Sequence, residues 1–401
     1  MTNMKELHSS GPITAKNAPK ILMGIVVFGM LLRIIIAFFT PMIHMHRDSF
    51  EYYRQAEIIL MGRYLNYFPN GYPFIVAFVK ILAPDATSSG IILLWLNIIL
   101  STLTIWFVYD IAKRVFNNLT VGLLAALILA IFPPQLNYVR WIMSEIPTIF
   151  FLLGAYFFYY RKQYGWCGLF FGLATVVRTN IGPVFILLVV LEALFVKKDS
   201  LLKRINFRLL LGAFLPIILV GSYCYIKTGV FSIEGNDRIN IMYAVTAYGN
   251  HIDFRIGEKY PEINTSAKAT KMFLDHMKKE PVEFVKQRLA NFWELWGFYA
   301  SSADGFRAPV SRVLLGACNF FLIFFGLFGW WKNRKDFAAS ILILPFLIAT
   351  AIPTLLVAIP RYVYPAHPFM ILFGAWTLVY LYNSIRSYKK KAPVVLTEAV
   401  D

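Results

Sequence analysis

The stretch "ILMGIVVFGMLLRIIIAFFTPMIHMHRDSFEYYRQAE" (21–57) sets a long apolar run directly against the first acidic cluster of the chain. At 1.5 Å per residue, a helix over 21–40 is about 30 Å long, which matches the hydrocarbon thickness of a bilayer. It has no small-residue cleavage site and reads as a retained anchor. Runs of the same kind recur to the end of the chain. Of the 401 residues, 58% are hydrophobic and 15% are charged, too apolar for a soluble globule of this length. The composition implies an all-α polytopic membrane protein.

Spans read at 21–40, 88–110, 119–133, 145–160, 164–178, 181–196, 208–226, 310–331, 337–352 and 363–383 make about ten crossings. The connections between them then alternate in charge. Lys113, Arg114, Arg161, Lys162, Lys197, Lys198, Lys203, Arg204, Lys332, Arg334, Lys335 and Arg386 fall on one side. The short connections of the other side hold Arg47, Arg54, Arg63, Lys80, Arg140, Arg178 and Arg361. By the positive-inside rule both termini are expected to be cytoplasmic. The net charge of +17 is thereby accounted for by topology, and no nucleic-acid partner is expected. Cys167, Cys224 and Cys318 lie in apolar runs and suggest neither a disulfide framework nor a zinc site.

Two external segments, 41–88 and 227–309, are too long to be plain connections within what otherwise reads as a single domain over 1–401. In the first, Ser49–Gly62 has the spacing of an amphipathic helix, and "YPFIVAFVKILAP" (72–84) suits a re-entrant or surface-lying one. In the second, "PVEFVKQRLANFWELWGF" (281–298) predicts a membrane-surface helix beginning at Pro281.

Charge near hydrocarbon is costly, on the order of 2.5–3.5 kcal/mol per residue at mid-depth, so its placement carries information. Apart from Arg33, Glu192 and Asp110, the charges gather at the outer ends of spans: Asp48, Arg140, Glu145, Arg178 and Arg361. Carboxylates and guanidiniums converging on an external cavity suit a phosphorylated, membrane-embedded substrate. That chemistry points to glycosyl transfer from a polyprenyl-phosphate sugar. A carboxylate deprotonates the acceptor, and arginines hold the phosphate in fork geometry. Asp48 and Glu145 are the catalytic candidates. Arg361, Arg178, Arg140, Arg54, Tyr52 and Tyr362 form the expected substrate-binding set. Asp48 has a competing reading as a helix cap with Glu51, and Tyr52 as part of an interfacial aromatic belt. No cofactor is expected, although His44 and His46 beside Asp48 leave room for a divalent ion.

The patches "RDSFEYYRQAEIIL" (47–60), "NGYPFIVAFVKIL" (70–82), "MSEIPTIFFLLGAYF" (143–157), "GLFFGLATVVRTN" (168–180) and "PRYVYPAHPFMILF" (360–373) resemble the GT-C fold glycosyltransferases. The likeness is to bacterial members of the dolichyl-phosphate-mannose-protein mannosyltransferase superfamily, which includes the lipid A aminoarabinose transferase. The resemblance implies that Asp48 is the base, and it matches Glu145 and Arg361 to family positions. It further implies an inverting transfer to an extracytoplasmic glycan, lipid or protein, at the outer face of a bacterial cytoplasmic membrane. Protein mannosyltransferases carry Asp-Glu in the first loop where this chain has Asp48-Ser49, which weakens the case for a protein acceptor. The large external C-terminal domain of the aminoarabinose enzyme is expected to be missing at this length. A flippase of lipid-linked sugars is the chief alternative, and a polymerase or ligase using lipid diphosphate-linked glycans is the second.

Overall fold

The computed structural model describes residues 14–39, 47–65, 68–195, 206–233, 237–249, 251–297 and 309–391. His44 and His46 lie outside these, as do Lys197, Lys198, Lys203 and Arg204 of the expected inner charge. In chain order the helices are α1 (Ala18–Phe39), α2 (Arg47–Leu60), α3 (Gly71–Leu82), α4 (Ala86–Phe116), α5 (Leu119–Ile131) and α6 (Pro133–Tyr138). Next come α7 (Glu145–Tyr160), α8 (Tyr164–Val177), α9 (Gly182–Phe195), α10 (Phe207–Thr228), α11 (Asp237–Thr246) and α12 (Ile256–Lys259). The last are α13 (Ser266–Lys279), α14 (Pro281–Leu295), α15 (Pro309–Asn333), α16 (Phe337–Ser340), α17 (Leu344–Leu355) and α18 (His367–Lys391). Short 3₁₀ turns at Thr179–Ile181, Ile341–Ile343 and Pro360–Ala366 join neighbouring helices. Extended pairing among the described residues is confined to the bridge between Tyr248 and His251.

Over their described residues, all ten apolar runs are essentially helical. By length and composition, five helical stretches of the described residues suffice to cross a membrane: Ala18–Phe39, Ala86–Phe116, Phe207–Thr228, Phe337–Leu355 and Pro360–Tyr388. Others, such as α5, α7 and α8 at 13, 16 and 14 residues, fall below the roughly 20 residues a perpendicular helix needs. The expected count of ten therefore outruns what length alone supports. Continuous apolar sequence marked where helices form, but it did not distinguish a full span from a shorter buried helix.

Local chemistry explains several of the helix boundaries. At the start of α4 the Asp85 carboxylate accepts from the Ser88 amide at 2.7 Å, and Asn117 stops the helix in the left-handed conformation at φ 46°. Further along α4, Asn97 donates to the carbonyls of Val139 and Trp141 at 3.2 and 2.8 Å. This pins the irregular connection that leads into α7. Pro353 lies near the end of α17, where a proline removes a backbone donor and cannot continue a regular helix.

The α8–α10 seam is built from small residues. A Cβ on Gly168 would lie 2.0 Å from the Leu209 carbonyl oxygen, and one on Gly172 2.3 Å from that of Ala213. Close backbone approach of this kind is how small-xxx-small helices pack in lipid, where no hydrophobic effect drives association. It holds α8 so that Arg178, just past its last turn, is delivered to the end of the bundle where Glu145 lies.

Arg33 is fully buried on α1. Its Nε donates to Ser101 Oγ at 2.7 Å, and its Nη1 donates to the Gly29 and Ala130 carbonyls at 2.9 and 3.2 Å. It pairs inside the bundle, locking α1 against α4 and α5. At the opposite end from the site residues, Asp110 accepts from Arg114 at 2.7 Å and from Arg161 at 3.0 Å.

Candidate active site

Four charged residues that are remote in sequence meet at one end of the bundle. Asp48 stands in the first turn of α2, Glu145 opens α7, Arg178 follows α8, and Arg361 lies in the 3₁₀ turn before α18. Arg178 Nη2 donates to Glu145 Oε1 at 2.7 Å. Arg361 Nη2 pairs with the Asp48 carboxylate, and its Nε lies 3.9 Å from Glu145 Oε1. The result is a chain of alternating charge, Asp48–Arg361–Glu145–Arg178.

The two carboxylates differ in access. The Asp48 side chain is 18% exposed, whereas that of Glu145 is 1% exposed and lies between two guanidiniums. Glu145 also sits where helix α7 presents unpaired backbone amides, which favour negative charge. Tyr52 donates to Ser144 Oγ at 3.1 Å, tying α2 to the residue before α7. Burial, and after it the charge of Glu145, raise the pKa of the Tyr52 phenol, so it stays protonated. Burial works most strongly against the charge of Arg178, but the Glu145 carboxylate together with Tyr52 and Tyr362 outweighs it, and the Arg178 pKa rises. Tyr362 presents its ring to both guanidiniums, 5.5 Å from Arg178 and 5.8 Å from Arg361.

These residues line a cavity of about 560 Å³. Asp48, Tyr52, Glu145, Arg178, Arg361 and Tyr362 of the predicted set all face it. Arg54 and Arg140 do not. Arg54 is exposed and pairs with Glu51 at 3.5 Å on its own helix. Arg140 donates to Asn137 at 2.8 Å, lies against Trp141, and has its pKa lowered by burial. Helical phase decides the first case: on α2, Tyr52 and Arg54 point to different sides. Helix α2 begins at Arg47, so Asp48 lies inside its first turn, and its carboxylate pairs with Arg361.

The rest of the wall was not foreseen. Thr179 and Asn180 contribute from the turn after Arg178, Ile239, Asn240, Ile241 and Tyr243 from α11, and Ile352, Pro353 and Leu356 from the end of α17. Asn180 had a usable signal, since it follows Arg178 where an apolar run stops. The α11 residues had none, because apolar and aromatic side chains in an external segment are as consistent with packing as with binding. Among the described residues, Arg178 Nη1, Glu145 Oε2 and Asn180 Oδ1 are buried without a hydrogen-bond partner. Buried polar atoms are normally satisfied, so these fit a polar ligand at the cavity floor. No cluster of three or more metal-ligating side chains occurs among the described residues.

Residues 69–223 match the family model of dolichyl-phosphate-mannose-protein mannosyltransferases. Among solved structures, the apo oligosaccharyltransferase of Archaeoglobus fulgidus is similar, with TM-score 0.53 and 15% identity over 94% of this chain and 52% of its own. The same organism's AglB, in complex with an inhibitory peptide and a dolichol-phosphate, gives TM-score 0.51 and 13% identity over 92% and 51%. ArnT from Cupriavidus metallidurans, bound to undecaprenyl phosphate, gives TM-score 0.52 and 13% identity over 94% and 62%. This chain thus spans about half to three-fifths of the length of these proteins. A comparison with curated protein sequences gives no match. At these identities the likeness establishes the fold, and the fold is that of the GT-C membrane glycosyltransferases.

Proposed function

We propose that this protein is a membrane glycosyltransferase that moves a sugar from a polyprenyl-phosphate donor to an acceptor outside the cytoplasm, with inversion at the anomeric carbon. The supporting observation is the cavity floor. Two guanidiniums alternate with two carboxylates there, and the buried Nη1 of Arg178 is left without a partner. Solved GT-C structures bound to dolichol-phosphate and to undecaprenyl phosphate add support for a lipid phosphate ligand.

In this reading Arg361 and Arg178 hold the donor phosphate, where planar guanidiniums match phosphate oxygens. Asp48 is the base, since it is the carboxylate an acceptor can reach. It removes the proton of the acceptor hydroxyl as the oxygen attacks the anomeric carbon. The bond from that carbon to the phosphate oxygen breaks on the opposite face, and polyprenyl phosphate departs as an anion held by the arginines. The proton remains on Asp48 until the products leave. The leaving group needs no strong general acid, so the reading calls for no cofactor. Glu145 orients both arginines and is a positioning residue. Tyr52 and Tyr362 confine the sugar and phosphate.

The whole of 1–401 then acts as one transferase domain. The described parts of the segments 41–88 and 227–309 cover the outer mouth of the bundle, both termini lie in the cytoplasm, and the membrane is a bacterial cytoplasmic one. The deciding experiment offers the nanodisc-reconstituted protein a panel of undecaprenyl-phosphate sugars together with membrane extract. Release of undecaprenyl phosphate coupled to labelling of an acceptor supports transfer. Movement of the labelled donor across the bilayer without its cleavage would replace this reading with that of a flippase.

A further inference from the structure

Helix α14 is amphipathic in the reverse of the usual sense. Its polar residues Gln287, Arg288, Asn291 and Glu294 are buried against the protein, while Val282, Val285, Leu289 and Trp293 are exposed. The exposed stripe suits the acyl boundary of the outer leaflet, so the polar face must be held by the protein.

The centre of that face is Arg288. Its Nη2 donates to the Ala244 carbonyl at 2.9 Å and to the Ala247 carbonyl at 3.3 Å, and its Nη1 donates to the Leu355 carbonyl. Ala244 and Ala247 stand at the C-terminal end of α11, and Leu355 ends α17. The last carbonyls of a helix have no partners within it and carry its partial negative charge, so one guanidinium serves two helix ends. The guanidinium stacks over Phe284, 4.8 Å from the ring centre. One turn on, Asn291 repeats the link. It accepts from the Gly249 amide at 2.9 Å and donates to the Thr354 carbonyl at 3.2 Å.

Both joined helices supply cavity wall: α11 contributes Ile239, Asn240, Ile241 and, next to the clamped Ala244, Tyr243, and α17 contributes Ile352 and Pro353 near its clamped end. We infer that Arg288, seconded by Asn291, is a positioning residue: it clamps the C-terminal ends of α11 and α17 to the bilayer-seated helix α14 and thereby sets the width of the cavity. Arg288 itself does not line the cavity. The catalytic consequence rests on the function proposed above, whereas the clamp does not.

The test is hydrogen–deuterium exchange on the full chain in nanodiscs, comparing wild type, Arg288→Met, Arg288→Lys and Asn291→Ala, with exposed Arg255→Met as control. Met keeps the packing over Phe284 but loses every donor. A lost hydrogen bond to a charged group corresponds to on the order of 10-fold faster exchange or more, expected in 237–249 and 352–359 together and not in 145–177. Lys restores part of the protection and Arg255→Met changes nothing. In the transfer assay, Arg288→Met raises the donor KM roughly 10-fold, by the same free energy, with kcat within about threefold. Unchanged exchange in the two wall segments of folded Arg288→Met overturns the clamp. Should that variant fail to fold, unchanged exchange in both Arg288→Lys and Asn291→Ala overturns it. A wild type without transfer activity would remove the functional reading and leave the exchange result standing.

Discussion

Arg178 and Glu145, one ending α8 and the other opening α7, form a 2.7 Å ion pair with the carboxylate almost completely buried. Breaking a buried pair from one side leaves an uncompensated charge, at about 3–5 kcal/mol. Arg361 lies 3.9 Å from the same carboxylate and supplies partial relief, so the lower end applies. Arg178→Met should therefore lose about 3 kcal/mol in denaturant unfolding of the detergent-solubilised protein. Adding Glu145→Gln should restore at least half of that. A single variant as stable as wild type would show that the pair is not a structural element.

Asp48→Asn should fold normally and lose transfer by about 10²- to 10⁴-fold, the usual contribution of a general base. Undecaprenyl phosphate release per mole of protein measures it. Retention of near-normal activity would take Asp48 out of the chemistry and return it to a role in holding Arg361.

Arg361→Lys keeps one charge but loses the fork that can hold two phosphate oxygens. Hydrogen bonds to charged groups contribute about 1.5–3 kcal/mol, which corresponds to a donor KM raised roughly 10- to 100-fold. An unchanged KM with reduced kcat would point instead to a role confined to the transition state.

Two glycines on α8 should respond in opposite directions to the same change. Gly165→Ala meets nothing within 4 Å and exchanges a poor helix former for a good one, for a gain of up to about 1 kcal/mol. Gly168→Ala would press its methyl group against the Leu209 carbonyl and should cost about 1–3 kcal/mol. Thermal unfolding distinguishes them. Equal behaviour would mean that the α8–α10 seam can spread without penalty.

Arg54→Ala removes an exposed pair with Glu51, worth about 0–1 kcal/mol, from a side chain that does not line the cavity. Transfer activity should stay within twofold. A larger loss would mean that the outer surface of α2 contacts substrate.

Much of the molecule was legible from its residues because the bilayer restricts what a chain can do. Backbone polar groups in hydrocarbon must be satisfied locally, so apolar runs become helices, and over their described residues the runs read as spans are essentially helical. The expense of charge in lipid likewise singled out Asp48, Arg140, Glu145, Arg178 and Arg361, of which all but Arg140 line the cavity. Length alone was less decisive, because buried helices of 13 to 16 residues share the composition of spans.

What residue order could not convey is who meets whom. Asp48 and Arg54 share one short helix with equal claims by composition, but helical phase sends one to the cavity and leaves the other on the surface. The pairing of Arg361 with Asp48, the sandwiching of Glu145, and the wall supplied by α11 all come from the packing of elements distant in the chain. The chain's chemistry determined that it is helical, membrane-embedded and charged at the ends of its apolar runs, since those properties follow from transfer free energies residue by residue. Tertiary structure alone decided which charges neutralise one another and which polar atoms remain for a ligand, because electrostatic pairing depends on distances that sequence separation does not encode.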